Sequence, residues 1–277
     1  MSGHTPACGL CGAADWRFRH RFDRRPEGET DFGLAPYRRE LWQCGGCGHV
    51  ENRHAMALDG LYGAAYWDAT YAGRIRETFA KIMALPPGRS DNRGRVARIL
   101  EVWDTRVPAT VPRALLDIGS GLAVFPAAMA EQGWRCAVLD PDPRAIAHAA
   151  AVAGADGIVG DFLTLPLPLV PERRFGLITL NKVLEHVPGP DMIPMLARAA
   201  GLLEPGGVVY LELPDGEAAI EDDPAREEFF IEHYCAFSLA SLALLARRAG
   251  LSADLIERVR EPSSKYTLRA FLTGAAP

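Results

Sequence analysis

The chain has 277 residues, 48% hydrophobic and 23% charged, with a formal net charge of -5. That length suits one α/β core with a small appendage, and the ordinary globular composition excludes extended disorder and fibrous repeats. Net acidity argues against a domain built to wrap a nucleic-acid backbone, and even the alanine-rich stretch 145–159 is broken by His148, Gly154 and Asp156, so no membrane span is expected.

The start MSGHTPACGLCG carries no charged-then-apolar leader, so a cytoplasmic location is the expectation. Four of the six cysteines form two like units, Cys8-Gly-Leu-Cys11-Gly and Cys44-Gly-Gly-Cys47-Gly, while Cys136 and Cys235 stand alone. A two-residue gap turns both thiolates of a unit toward one ion, and the glycine that follows permits the tight turn that aims backbone amides at sulfur. Disulfides or redox dithiols are the alternative, but neither suits a reducing compartment and a motif that occurs twice. A structural Zn2+ held by Cys8, Cys11, Cys44 and Cys47 is expected, with no open position for substrate. The 32 residues between the units fit a small β-rich ribbon over residues 1–54. Within them Arg17, Arg19, Arg21, Arg24 and Arg25 interleave with Trp16, Phe18 and Phe22, which reads as the solvated face of a strand or as a phosphate-facing patch.

A helical connecting or lid segment is expected over residues 55–105. It contains an aromatic-rich zone at 61–71 with Tyr62 and Tyr66, then Ile75, Phe79, Ile82 and Met83 at helical spacing. The stretch 85–95, with two prolines and two glycines, reads as a loop, and Val96, Ile99, Leu100 and Trp103 as a further helix.

From residue 106 onward, short apolar runs alternate with amphipathic helices, the pattern of βαβ units and a parallel sheet. Strands are read at 114–118, 135–140, 157–159, 175–180 and 208–212, with a last pair near 255–260 and 267–273. The first strand ends in LLDIGSG, where Gly119 and Gly121 bring backbone close to a ligand at the carboxyl edge of the sheet. The second ends in VLDPDP, 19 residues beyond Gly121, where Asp140 or Asp142 is placed to accept from a ribose diol, and the strand end favours Asp140. The third leads into Gly160-Asp161-Phe162, where Asp161 reads either as an acceptor for an exocyclic amine or as a helix cap.

In this order, LLDIGSG, VLDPDP, GDF, FGLITLNKVLEHV and LLEPGGVVYLELPD resemble the class I S-adenosylmethionine-dependent methyltransferases from Arg113 to the C-terminus. The resemblance implies a Rossmann-like α/β fold: a seven-stranded mixed sheet with helices on both faces, preceded here by the zinc ribbon and the helical segment. It also implies that Asp117, Gly119, Ser120 and Gly121 lie by the methionine part of the donor, that Asp140 with Pro141 holds the ribose, and that Asp161 and Phe162 flank adenine. Asn181, in the LNKVLEHV segment, would pass beside the methyl group. Ala123 departs from a third glycine common in the family.

Methyl transfer is an in-line displacement that needs alignment and, for a hydroxyl or carbon acid, a base. Glu185-His186 follows the fourth strand and reads as structural or donor-adjacent. Glu232-His233 stands in a Glu-His-x-x-x-Phe-Ser stretch similar to that of deoxysugar C-methyltransferases, which also open with paired CxxC units and continue into a further C-terminal domain, whereas this chain ends at Pro277. The resemblance implies His233 as general base with Glu232 orienting it, and Tyr66 and Tyr62 as contacts to donor or acceptor. The acceptor class it implies is a small molecule: a nucleotide-linked sugar, another saccharide or a natural-product intermediate. An RNA methyltransferase gripping its substrate with the ribbon, and a non-catalytic donor-binding module, are the competing readings.

Overall fold

The structure is a computed structural model that describes residues 6–56, 74–167, 169 and 174–274. The expected helical zone at 61–71, with Tyr62 and Tyr66, lies outside the described residues. Three strands open the chain, β1 (Trp16–Phe22), β2 (Arg39–Cys44) and β3 (Val50–His54), paired antiparallel in sequence order.

The larger sheet has seven strands: β4 (Ala114–Ile118), β5 (Arg135–Asp140), β6 (Asp156–Val159), β7 (Phe175–Asn181), β8 (Leu203–Pro214), β10 (Leu251–Arg260) and β11 (Tyr266–Gly274). Their spatial order is β6-β5-β4-β7-β8-β11-β10, parallel through β8 and antiparallel at β11 on both of its edges. This is the Rossmann-like mixed sheet that the sequence implied. Every residue of β4 is buried, as a parallel strand covered on both faces requires.

Side-chain alternation splits the core in two. Leu115, Val138 and Leu177 point to the face covered by the helices Asp91–Arg106, Val124–Glu131 and Pro143–Ala153, among Ile99, Trp103, Met129 and Trp134. Leu116, Ile118 and Leu180 point to the other face, against Leu196 of Gly189–Ala200 and Leu242 and Leu245 of Leu239–Arg248. The chain turns one way from β4 to β5 and the other way from β7 to β8, so a crevice opens at the carboxyl ends of β4 and β7.

Two expectations shift. The loop read at 85–95 ends at Ser90, because the Ser90 hydroxyl accepts from the Arg93 amide at 3.2 Å and starts the helix Asp91–Arg106. Loop-like composition lost to a cap and to buried partners: Asn92 donates to the Val124 carbonyl at 2.8 Å, and Arg95 pairs with Glu212. The fifth strand, read at 208–212, begins at Leu203, where a Cβ on Gly207 would come within 2.8 Å of the Gly176 carbonyl.

A short strand β9 (Cys235–Ala236) pairs with β3, at Val50 with Ala236 and Glu51 with Cys235. The sheet of the ribbon is therefore completed by a segment far along the chain. The Cys47 carbonyl accepts from the Ser238 hydroxyl, and His49 meets Phe237 edge-on at 5.2 Å.

Candidate functional site

The turn after β4 is organised by its neighbours. Gly119 takes φ +74°, and a Cβ there would fall 2.7 Å from Val183. Its amide donates to the Leu139 carbonyl at 2.7 Å, and the Gly121 amide donates to Asp140 Oδ2 at 3.0 Å. Asp140 Oδ1 accepts from the Asp142 amide at 2.9 Å, while Asp142 caps the helix Pro143–Ala153 and pairs with Arg144. Asp140 is thus the carboxylate bound to the glycine turn, and Asp142 serves its own helix.

Asp117 lies beneath the turn, 2% exposed, accepting from Thr179 Oγ1 at 2.6 Å and from Asn181 Nδ2 at 2.9 Å. Burial nevertheless raises its pKa to about 6, the two hydrogen bonds opposing that rise. Ser120 Oγ and Asn181 Oδ1 are buried without a hydrogen-bond partner. Buried polar atoms are rarely left so, and both residues border one cleft of about 600 Å³.

The rest of the cleft is lined by the segment after β7 and by residues 227–233. Glu185 is 0% exposed, neither carboxylate oxygen has a partner, and burial raises its pKa to about 7. His186 Nδ1 lies 2.9 Å from the Glu232 carbonyl and His233 Nδ1 lies 3.0 Å from the Glu228 carbonyl. A carbonyl only accepts, so both rings carry hydrogen on Nδ1 and their lone pairs lie on Nε2. The rings meet edge to face at 4.7 Å. Burial lowers His186 to about 4 and holds His233 well below the usual histidine range. It also raises Glu232, on the same wall, to about 7. The contact that orients His233, expected of Glu232, is made by the Glu228 carbonyl, because a turn closed by His233 N on the Phe230 carbonyl at 2.9 Å brings the earlier backbone under the ring.

One cleft therefore gathers Asp117, Gly119, Ser120, Gly121, Asp140, Pro141 and Asn181 together with Glu185, Glu232 and His233. Asp161 and Phe162 are not among its lining. Asp161 is exposed and caps its own turn, accepting from the Leu163 amide at 2.9 Å. Phe162 is 2% exposed in the core, with the Arg198 guanidinium 5.3 Å from its ring. Ala123 takes the left-handed φ of +55° at the start of its helix, the conformation a glycine adopts without cost.

Sequence reading missed Arg95, Lys182 and Lys265, which also line the cleft. Arg95 Nε donates to Glu212 Oε2 at 2.7 Å, and Tyr210 donates to the same oxygen at 3.1 Å. Burial acts against the charge on Glu212, yet Arg95, Lys182 and Arg269 bring its pKa down to about 2. An acid inside the apolar run VVYLELP is the signal that such a cation exists, but nothing local marks which one.

In the ribbon, Cys8 and Cys47 sulfurs lie 3.8 Å apart and those of Cys11 and Cys44 3.5 Å apart, with all four within 4.8 Å of one another. A tetrahedral zinc with Zn–S of about 2.3 Å requires sulfurs about 3.8 Å apart, so the four fit one ion. The Cys8 pKa is lowered to about 4, first by the hydrogen bond from Cys47 and then, against burial, by the amides of Cys11 and Leu10. Nearby, Arg19 pairs with Glu221, Arg21 with Glu40 and Arg25 with Asp31, so these members of the arginine run are neutralised.

A family described as "Methyltransferase domain" matches residues 77–255. The C-methyltransferase NovU of Streptomyces niveus is 25% identical over 259 residues, 88% of this chain and 55% of that protein. A ubiquinone biosynthesis O-methyltransferase of Paramagnetospirillum magneticum is 33% identical over 95 residues, 34% of this chain and 37% of its own length. The chain thus spans about half or less of the length of these curated relatives. Among solved structures, magnesium protoporphyrin IX methyltransferase from Synechocystis PCC 6803 aligns with a TM-score of 0.54 at 12% identity, over 74% of this chain and 97% of that one. The CcbJ methyltransferase from Streptomyces caelestis aligns at 0.51 and 19%, over 75% and 98%. At these identities the likeness is one of fold.

Proposed function

Since this chain belongs to the methyltransferase-domain family, we propose that it moves a methyl group from S-adenosylmethionine to a small-molecule acceptor held against Glu232 and His233. The observation that carries this reading is that one cleft is lined both by the glycine turn with Asp140 and by those two residues. When bound, the donor supplies a sulfonium methyl that an aligned nucleophile displaces.

The unpartnered Ser120 Oγ and Asn181 Oδ1 fit a polar ligand lying along the turn. Asp140, fixed by two backbone amides, accepts from the ribose diol. Asp161 stays at the same sheet edge, since the Gly160 amide donates to the Asp140 carbonyl at 3.1 Å, and it takes the adenine amine. Phe162 braces that turn from the core rather than covering the base.

On the acceptor side, burial keeps His233 neutral at neutral pH, so Nε2 has a lone pair to receive a proton. With donor and acceptor bound, His233 Nε2 would receive the proton that the acceptor atom gives up on methylation. Glu232, with its pKa near neutrality, is the second acid/base group. The acceptor is a nucleotide-linked sugar, another saccharide or a natural-product intermediate, a reading supported by similarity to a C-methyltransferase along most of this chain. The four cysteines hold a structural zinc ion. Among the described residues no helix is long and apolar enough to cross a membrane.

The test is calorimetry with S-adenosylhomocysteine, then mass-spectrometric screening of nucleotide sugars, saccharides and phenols for methylated product. His233→Ala is expected to keep donor-product affinity and lose about 100- to 10,000-fold in turnover. Absence of any S-adenosylhomocysteine binding would sink the proposal. Salt-dependent binding to bulk RNA would instead favour a nucleic-acid acceptor.

A further inference from the structure

We infer that the four-cysteine ribbon is the device that positions His233, acting through Asn52 and Glu29. Rings and carboxylates at the acceptor wall are only as well placed as the backbone of residues 229–234, and the ribbon holds much of that backbone.

Asn52, on β3, is 8% exposed. Its Nδ2 faces three carbonyls, those of Phe229 and Phe230 at 3.3 Å each and of His233 at 3.1 Å. Its own amide donates to the Tyr234 carbonyl at 2.9 Å. Glu29 Oε2 accepts from the Ile231 amide at 2.7 Å and from Arg39 Nη2 at 3.1 Å, and both side chains of that ion pair are 0% exposed. Arg39 Nη1 in turn donates to Asn52 Oδ1 at 3.3 Å. Asn52, Arg39 and Glu29 are therefore one buried network, held inside the ribbon by the Tyr37 hydroxyl, which donates to Glu29 Oε1 at 2.5 Å and accepts from Arg39 Nε at 2.6 Å, and reaching out to backbone groups of the His233 loop. A buried network of this kind defines one geometry, because every group left without its partner is costly.

The cysteines enter through the hairpin. Arg39 begins β2 and Cys44 ends it, Asn52 lies on β3, and the connection between them is the Cys44 to Cys47 unit, closed by the Cys44 amide on the His49 carbonyl at 2.8 Å. An ion on the four sulfurs pins that connection, and with it the register that pairs Leu41 with Asn52 and Arg39 with His54. The donor side is tied differently: Asp117, Gly121 and Asp140 are held by bonds within the larger sheet and its turns. Loosening the ribbon should free the acceptor wall and spare the donor wall.

The inference rests on His233 acting at the acceptor, but its test needs no acceptor. Asn52→Ala and Asn52→Ser would be compared with the zinc-loaded wild type and with chelated wild type. The readouts are amide hydrogen exchange over residues 228–236, the titration of the His233 ring by NMR, and S-adenosylhomocysteine binding. In Asn52→Ala, exchange of the 229–234 amides should rise by at least about tenfold and the His233 titration should move toward the ordinary histidine range, with donor-product affinity changed by less than about twofold. Asn52→Ser, which keeps one donor, should fall between, and chelated wild type should reproduce Asn52→Ala. Unchanged exchange and titration in Asn52→Ala, or a chelated protein whose loop exchanges as in the loaded one, would overturn the inference. So would loss of donor-product binding in both variants, since the two walls would then not be separable. Loss of that binding in the loaded wild type would instead strike the methyl-transfer reading.

Discussion

Asp140, at the end of β5, and Gly121, in the turn after β4, are joined by a hydrogen bond of 3.0 Å from the Gly121 amide to Asp140 Oδ2. The glycine turn and Asp140, the proposed ribose acceptor, are thus one unit. Asp140→Asn removes the charge and sets an NH2 group against donors, so S-adenosylhomocysteine affinity should fall by about 10- to 100-fold with the far-ultraviolet dichroism unchanged. Wild-type affinity in this variant would remove Asp140 from the donor site.

The Arg95–Glu212 pair anchors the helix Asp91–Arg106 to the middle of the sheet, with Glu212 1% exposed. Arg95→Met leaves that carboxylate without its bidentate partner and should lower unfolding free energy by about 3 kcal/mol in urea titrations. Arg95→Met/Glu212→Leu should recover most of the loss. A single variant as stable as wild type would mean that Arg269, 3.6 Å from Glu212, suffices as counter-ion.

Burial raises Asp117 to about 6 and Glu185 and Glu232 to about 7. Each binds its proton more tightly folded than unfolded, so its stabilising contribution is complete below about pH 4 and is lost as pH rises through 6 to 7. The depressed His186 and His233 act oppositely, contributing above about pH 6.5, and His186 loses that contribution as pH falls toward 4. Glu185→Gln, which cannot ionise, should therefore melt higher than wild type at pH 8.5 by a margin that shrinks toward pH 5.5, equivalent to about 2 to 3 kcal/mol in all. Parallel melting curves across that range would show that Glu185 does not titrate there.

Metal analysis of purified protein should return one zinc per chain, bound by the cysteines whose sulfurs lie within 4.8 Å of one another. Chelation or Cys44→Ser should lower the melting temperature by more than about 5 °C. Metal-free protein that melts with the untreated sample would refute a structural ion.

Much of the fold was legible because its signals are local. The runs at 114–118 and 135–140 match β4 and β5 residue for residue, since strands covered on both faces are mostly apolar, here with Asp117 and Asp140 toward their carboxyl ends. Gly119 and Gly121 marked the turn, and the CxxC spacing marked the sulfur cluster, because glycine torsions and thiolate reach are properties of a few adjacent residues. What the tertiary structure alone decided are contacts between distant groups. Arg95 meets Glu212 and Asn52 meets the His233 carbonyl across separations of 117 and 181 residues. The partner of the His233 ring is the Glu228 carbonyl, and a carbonyl has the same chemistry in every residue. No residue letter can announce it, so the chemistry of the glycine turn could be read along the chain, while the placement of the proposed acceptor residues arose only when the ribbon closed on them.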